Sequence, residues 1–494
     1  MTDLVLASVR QPGSDTVADI HLRDGVVAAI GPADVPLGLP LQVRRVDCGG
    51  RYVIPGLWDE HVHFTQWAMH ANRLDLSKAT SAREAAAAVG RCLIAERHGG
   101  AGVAVGVGFR DALWPDAPAR DMLDAATGER PVALISHDLH CVWVNTAAAR
   151  LYALEVDASG LLREEPAFLL TRELGRLPDS VVDEWVSKAG HAAAARGVVG
   201  VVDFEMTWNR DPWLRRISAG FDSLRVEAGV YPEDLERAVA AGMETGKELD
   251  GGNGLLHAGP LKVLIDGSLN TRTAFCVDPY PFGGHGLLTV GEPELQALLE
   301  RARDTGFVPA VHAIGDAANR VALDAFERAG VGGRIEHAQF IRREDLPRFG
   351  ALGVVASVQP VHALDDRDAA ESNWPGRTDR AFPLGSLLDA GASLVLGSDA
   401  PVAPLDPWAA MSAATTRSAF DGREPWQPQE AITREQALLA STRGRGAVRM
   451  GDPADLVLLD ADPLSVADPD LASMPVAATL LGGRFTYGGG LAGF

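Results

Sequence analysis

With 494 residues, of which 47% are hydrophobic and 22% charged, the chain is long enough for a large core and has the composition of an ordinary globular protein. Acidic residues outnumber Lys and Arg by 66 to 45, and the net charge of −21 argues against a nucleic-acid partner, because phosphate binding needs clustered cations. Cys48, Cys92, Cys141 and Cys276 lie far apart with no Cys-x-x-Cys pair, the first residues show no secretory pattern, and no run reaches the roughly eighteen apolar residues of a membrane helix; a cytoplasmic protein is expected.

Residues 1–52 alternate in short β-like runs, among them Asp3–Ser8, Ala18–Leu22, Val26–Ile30 and Gln42–Val46, separated by Gly, Pro and Asp. A second set fills the last fifty residues, at Asp455–Asp460, Ala477–Leu481 and Arg484–Tyr487. Neither set buries a face alone, so 1–52 and 445–494 are expected to form one small β-sandwich domain from both chain ends. Between them, apolar runs alternate with helical patterns, the mark of βαβ units. Candidate strands at 53–61, 198–204, 224–230, 260–266, 307–312, 333–338, 353–358 and 393–399 suit an α/β fold, a (β/α)8 TIM-like barrel over 53–444 with its site at the strand C-termini. Segments 233–248, 291–305 and 316–329 read as barrel helices. The interval between the first two strands is far longer than one crossover needs, and residues 65–195 read as an inserted subdomain with helices at 81–98 and 180–196 and apolar runs at 102–109 and 131–136.

The first barrel strand ends in His61-Val62-His63, and alternation puts both imidazoles on one face, half of a zinc-type site. Later strands end in, or enclose, Lys262, His312, His337 and Asp399. Singly, each has an ordinary reading: a strand-end His or Asp caps the next helix, and Lys262 pairs with Asp266. Jointly they are a complete metal set at one end of a barrel. A strand-buried lysine tends to lose its proton, and a neutral amine takes up carbon dioxide as a carbamate able to bridge two ions. No phosphate-binding loop or Gly-x-Ser-x-Gly elbow competes with this reading.

The words Pro55-Gly56-Leu57-x-Asp59-x-His61-x-His63, Lys262-x3-Asp266-Gly267-Ser268, His312-Ala313-Ile314-Gly315-Asp316, Glu336-His337-Ala338-Gln339, Gly397-Ser398-Asp399-Ala400-Pro401 and Gly451-Asp452-Pro453-Ala454-Asp455-Leu456 resemble the amidohydrolase superfamily, in the branch that includes N-substituted formamide deformylase. The resemblance implies that His61, His63 and Asp399 hold one divalent metal and His312 and His337 another, zinc being expected, with carbamylated Lys262 as bridge. It also implies that His140, Trp143 and Asn145 of the insertion face the substrate. Trp58 and Glu60 stand where smaller residues are more usual, which sets an extra carboxylate beside the ligands.

The expected reaction is hydrolysis of a C–N amide-type bond, other than a peptide bond, in a small N-substituted amide or formamide, by a metal-activated water with Asp399 as general base and acid. Cyclic-amide hydrolysis, deamination by an aminohydrolase of the same superfamily, and a non-catalytic scaffold are the alternatives. Segments 267–290 and 359–382 lack helical periodicity and read as lids, with Arg272 as a candidate for holding substrate. No nucleic-acid or membrane partner is expected, and a homodimer stays open.

Overall fold

The computed structural model describes residues 3–33, 43–95, 102–111, 114–136, 141–163, 165–281 and 283–488. The chain divides into two compact units, 67–186 and the remainder.

In the larger unit, eight parallel strands run in chain order around a nearly closed barrel: β1 (Leu57–Val62), β2 (Val198–Asp203), β3 (Arg225–Val230), β4 (Leu256–Leu264), β5 (Pro309–Ala313), β6 (Gly333–His337), β7 (Val354–Val358) and β8 (Leu394–Leu396). Strands covered on both faces need no polar alternation, so β1 and β2 are buried at every position. Between β8 and β1 the seam is completed by a parallel bridge from Val62 to Ala400 and by the Asp399 amide donating to the His61 carbonyl at 2.7 Å. Helix Glu292–Asp304 begins with Glu292 and Glu294 and ends with Arg301 and Arg303, which complements its dipole. Helix Asp316–Ala329 stops at Gly330, in the left-handed region at φ 60. The helix expected over 233–248 is shorter, a 3-10 turn at Pro232–Asp234 followed by Leu235–Ala240. Gly242 and Gly246, at φ 69 and 85, turn the chain away.

The expected first strand, 53–61, is two strands. Tyr52–Pro55 pairs antiparallel with Leu456–Leu459, and Leu57 begins the barrel. The exchange is made at Gly56: its amide donates to Asp455 O at 2.8 Å, while that of Leu57 donates to Gly197 O at 3.1 Å. A Cβ on Gly56 would lie 2.4 Å from Val199 Cγ2, so only glycine lets the chain pass there. The strands of both chain ends form one mixed sheet, in the order Arg484–Tyr487, Val476–Leu481, Leu456–Leu459, Tyr52–Pro55, Asp3–Arg10, Val17–Arg23, Val26–Pro32, with Arg44–Asp47 also pairing with Asp3–Arg10. Leu4, Leu6, Ile20 and Leu22 share its core with Leu456, Leu458, Ala478 and Leu480.

Residues 67–186 carry their own five-stranded sheet, ordered Leu161–Arg163, Cys141–Val144, Val132–Ser136, Ala104–Phe109, Leu74–Asp75. Among the described residues no helix is long and apolar enough to cross a membrane.

Candidate metal centre

The C-terminal end of β1 delivers His61 and, just past the strand, His63. His61 Nδ1 donates to Glu336 Oε2 at 2.6 Å, which fixes the tautomer and leaves Nε2 unprotonated, 3.5 Å from Asp399 Oδ1. His63 is anchored through its amide to Ala400 O at 2.8 Å, and its Nε2 lies 3.4 Å from the same carboxylate oxygen. Lys262, buried in β4, sets Nζ 3.3 Å from His61 Nε2 and 4.4 Å from the centre of the Phe204 ring. His312 ends β5 and His337 ends β6, with ring centroids 4.4 Å apart. The ligand atoms of His61, His337 and Asp399 all lie within 4.8 Å of one another.

Backbone devices hold this cluster. His337, Ala338 and Asp399 occupy the left-handed region, at φ 71, 44 and 56, at a cost of about 1 kcal/mol each for residues other than glycine. Such strain persists where surrounding bonds over-determine it. Buried Asn319 donates through Nδ2 to Ala313 O, Gly315 O and Phe340 O at 3.1, 3.0 and 3.1 Å, tying together the turns that follow His312 and His337. At Gly397 an added Cβ would stand 2.7 Å from the His61 amide nitrogen, so β8 approaches β1 closely enough to present Asp399 only because that position is glycine.

Burial, reinforced by the Lys262 charge, pushes the His61 imidazole down to about 4 against the pull of Glu336, and pushes that of His312 down to about 3. His337 is held well below the ordinary histidine range by burial and by the neighbouring rings. Burial also lowers Lys262 to about 8, against Glu336 and Asp399. Asp399 moves the other way: burial opposes its ionisation, yet His61, His63 and His362 around it keep it well below the usual carboxylate range. His63 is the exception, raised by its contact with Asp399 against its burial; the neutral imidazoles of His61, His312 and His337 are ready to ligate without first losing a proton. Buried nitrogens of His63 (Nδ1), His312 (Nε2), His337 (Nδ1) and His362 (Nε2) have no hydrogen-bond partner among the described residues. A buried polar atom without a partner is costly, and a divalent cation satisfies imidazole lone pairs, so this donor set fits a metal.

Lys262 does not pair with Asp266. That carboxylate instead accepts the amides of Ile314, Gly315 and Phe275 at 3.0, 2.8 and 2.9 Å, pinning the turns after β4 and β5. Nor is Glu60 an extra ligand. Its oxygens are taken by Arg334 Nη1 at 2.9 Å and Arg443 Nε at 2.6 Å; Arg443 also lies 3.4 Å from the Trp58 ring centre and pairs with Glu227. Arg334 further donates to Glu60 O, Ser357 Oγ and Glu336 Oε1 at 2.6, 2.8 and 2.5 Å.

Within the smaller unit, Trp143 is fully buried with Phe109 and Trp114. Asn145 caps the helix Thr146–Leu151: its side chain accepts from Ala148 N and Val132 N and donates to Thr127 Oγ1 and Arg130 O. The Asn145 side chain is thus occupied as a helix cap, whereas the buried Trp143 Nε1 has no hydrogen-bond partner among the described residues. His140 lies outside the described residues. Arg272 is exposed in a turn after β4, at φ 57.

Of the two expected lids, the second is helical, at Pro360–Asp365 and Arg367–Asn373, stretches too short to display a period. It shares one buried cluster with the first: Leu269, Cys276 and Tyr280 pack with Trp374 and Phe382, and Phe340 stacks on Trp374 at 4.3 Å. The two segments form one packed wall. Its helix adds His362, buried, with Nε2 3.9 Å from Asp399 Oδ2 and its ring stacked on His337 at 6.0 Å. Sequence reasoning gave Glu336 no role and placed His362 only within the lid segment 359–382. Glu336 had a signal, charged residues at alternate positions of a buried strand; His362 lies in a helix too short to show which way it faces.

Residues 44–487 match the Amidohydrolase family. The chain is 27% identical to Protein LONG AFTER FAR-RED 3 of Arabidopsis thaliana, over 96% of this chain and 89% of that one, and 25% identical to N-substituted formamide deformylase of Arthrobacter pascens, over 95% and 94%. An uncharacterized metal-dependent hydrolase from Pyrococcus furiosus superposes with a TM-score of 0.76 at 26% identity, covering 94% of this chain and 100% of that structure. A match spanning nearly the whole chain, on a barrel whose mouth gathers a His/His/Asp metal site, means that this chain belongs to the amidohydrolase family and is a metal-dependent hydrolase of that superfamily.

Proposed function

We propose that the chain cleaves the C–N bond of a small N-substituted amide or formamide at one or two zinc ions, His61, His63 and Asp399 holding one and His312 and His337 the other, with carbamylated Lys262 between them. The observation that carries this reading is the convergence of His61, His337 and Asp399 within 4.8 Å, beside further buried imidazole nitrogens that make no hydrogen bond among the described residues. Similarity to N-substituted formamide deformylase over nearly the full length supports the substrate class.

A divalent cation in this position supplies a Lewis-acidic charge that polarises a carbonyl and acidifies water toward neutrality. The protein's own groups do the rest. Asp399, kept ionised, accepts the proton of the attacking water and passes it to the leaving nitrogen. Lys262, lowered to about 8, is neutral in an appreciable fraction of molecules near neutral pH; its amine adds to carbon dioxide and releases one proton. Glu336 holds the His61 ring so that Nε2 faces the site. His362, beside Asp399, orients bound substrate through Nε2, and Arg272 binds a substrate carbonyl or carboxylate. Burial pushes the Cys48 and Cys276 thiols up to about 12 and about 11, which suits inert reduced cysteines of a cytoplasmic protein.

The test joins metal analysis to turnover on protein prepared with bicarbonate and without chelator. About two zinc ions per chain, fewer in Lys262→Ala, with formate released from N-substituted formamides, is the expected result. One ion unaffected by that substitution removes the bridge, and a metal-free chain that turns over no amide, formamide or cyclic imide overturns the reading.

A further inference from the structure

Away from the metal centre, one buried cation makes no ion pair among the described residues. Helix Pro407–Thr416 ends on Arg417, whose backbone is left-handed at φ 55 and whose side chain is 1% exposed. Nε donates to Trp426 O at 3.1 Å, and the guanidinium lies 5.9 Å from the centre of the Trp426 ring. Both terminal nitrogens, Nη1 and Nη2, are buried and reach no hydrogen-bond partner among the described residues. Glu430, whose charge acts on this guanidinium, has given its oxygens to Ser386, one to the hydroxyl at 2.7 Å and one to the amide at 2.9 Å.

Arg417 lines a cavity of about 20 Å³ together with Leu364, Arg367, Arg423 and the acidic residues Asp421 and Glu424. The acids do not supply the missing partner. Asp421 accepts the Arg423 amide at 3.0 Å, and Glu424 is an exposed side chain whose carbonyl accepts Arg367 Nη1 at 2.9 Å. Arg423 itself is paired with Asp368 at 2.6 and 3.1 Å. A guanidinium keeps its proton at any ordinary pH, and an unpaired buried charge is among the costliest features a fold can carry. The space beside Arg417 is enough for one water or one monatomic ion. Water would satisfy two N–H groups and leave the charge standing.

We propose that this cavity is a halide site, in which a single chloride-sized anion accepts hydrogen bonds from Arg417 Nη1 and Nη2. The ion lies against Leu364, in the short helix that also carries His362. It therefore braces the wall of the mouth from behind.

The experiment measures thermal unfolding of the full chain in sodium bromide and in sodium gluconate at equal ionic strength, for the native protein and for Arg417→Met, and collects bromide anomalous diffraction from native crystals. The expected result is a native Tm higher by about 3 °C in bromide, saturating with concentration, and absent in the variant. An anomalous peak beside Arg417 accompanies it. Equal native Tm values in the two salts, a variant that keeps the bromide response, or a cavity holding only water overturns the proposal. If Arg417→Met does not fold, the native salt comparison and the diffraction peak still decide.

Discussion

Glu60 and His61 are consecutive on β1, and Arg334 and His337 lie on the same strand β6, yet the two buried clusters they belong to are finished differently. Around Arg334 every charge has a partner: Glu60 is held by two guanidiniums, and Arg334 reaches Glu60, Glu336 and Ser357. Around His337, nitrogens of several histidines make no hydrogen bond among the described residues. A polar cluster closed on itself is architecture, and one left open in a dry site is waiting for a ligand. Glu336 belongs to both, giving Oε1 to Arg334 and Oε2 to His61, so the closed network aims the open one.

That contrast can be broken from either side. The largest effect is expected from Asp399→Asn, which keeps the shape of the open cluster and removes its base: kcat should fall about 10³- to 10⁴-fold with an unchanged circular dichroism spectrum. Retained turnover would take Asp399 out of proton transfer. Next comes Arg334→Met, which strips Glu336 of its guanidinium and leaves Glu60 with Arg443 alone, and should cost about 3–5 kcal/mol in denaturant unfolding; a loss under 1 kcal/mol would mean that water repairs the network. Glu336→Gln tests the joint between the clusters. Zinc affinity, measured by chelator competition, should drop about 10- to 100-fold, and an unchanged affinity would reduce Glu336 to a partner of Arg334. The smallest change is expected from Arg443→Ala. This guanidinium stacks on Trp58 at the partly exposed rim, its side chain 31% exposed, and its removal should cost about 1 kcal/mol with activity intact.

How much of this could be read from the sequence depended on what each residue type advertises. Parallel strands buried on both sides leave continuous apolar runs, so all eight barrel strands were legible, and the paired β runs at the chain ends announced a shared sheet. The strand-end His, Lys and Asp residues were legible because such groups are conspicuous inside apolar runs. The exchange of sheets at Gly56 was not, since the run from Tyr52 to Val62 reads as one strand until Val199 is seen packed over the glycine. Asp266 looked like a partner for Lys262 because alternation puts them on one face. The strand ends at Leu264, and past that point alternation predicts nothing, leaving the carboxylate to collect three backbone amides. Asn145 matched a family word, and only its hydrogen bonds reveal a helix cap.

The chain leaves the terminal sheet at Pro55 and reaches His61 only a few residues later, with no loop in which slack could accumulate. The pairing of Tyr52–Pro55 with Leu456–Leu459 therefore works as a datum line, from which the rotation of His61 and His63 is measured. Side chains on a strand change face at each step, so a slip of one residue in that distant ladder would turn the imidazoles away from Asp399 and bring Glu60 and Val62 round in their place. The strands at the two ends of the chain, which carry none of the chemistry, set the phase in which the catalytic strand is read.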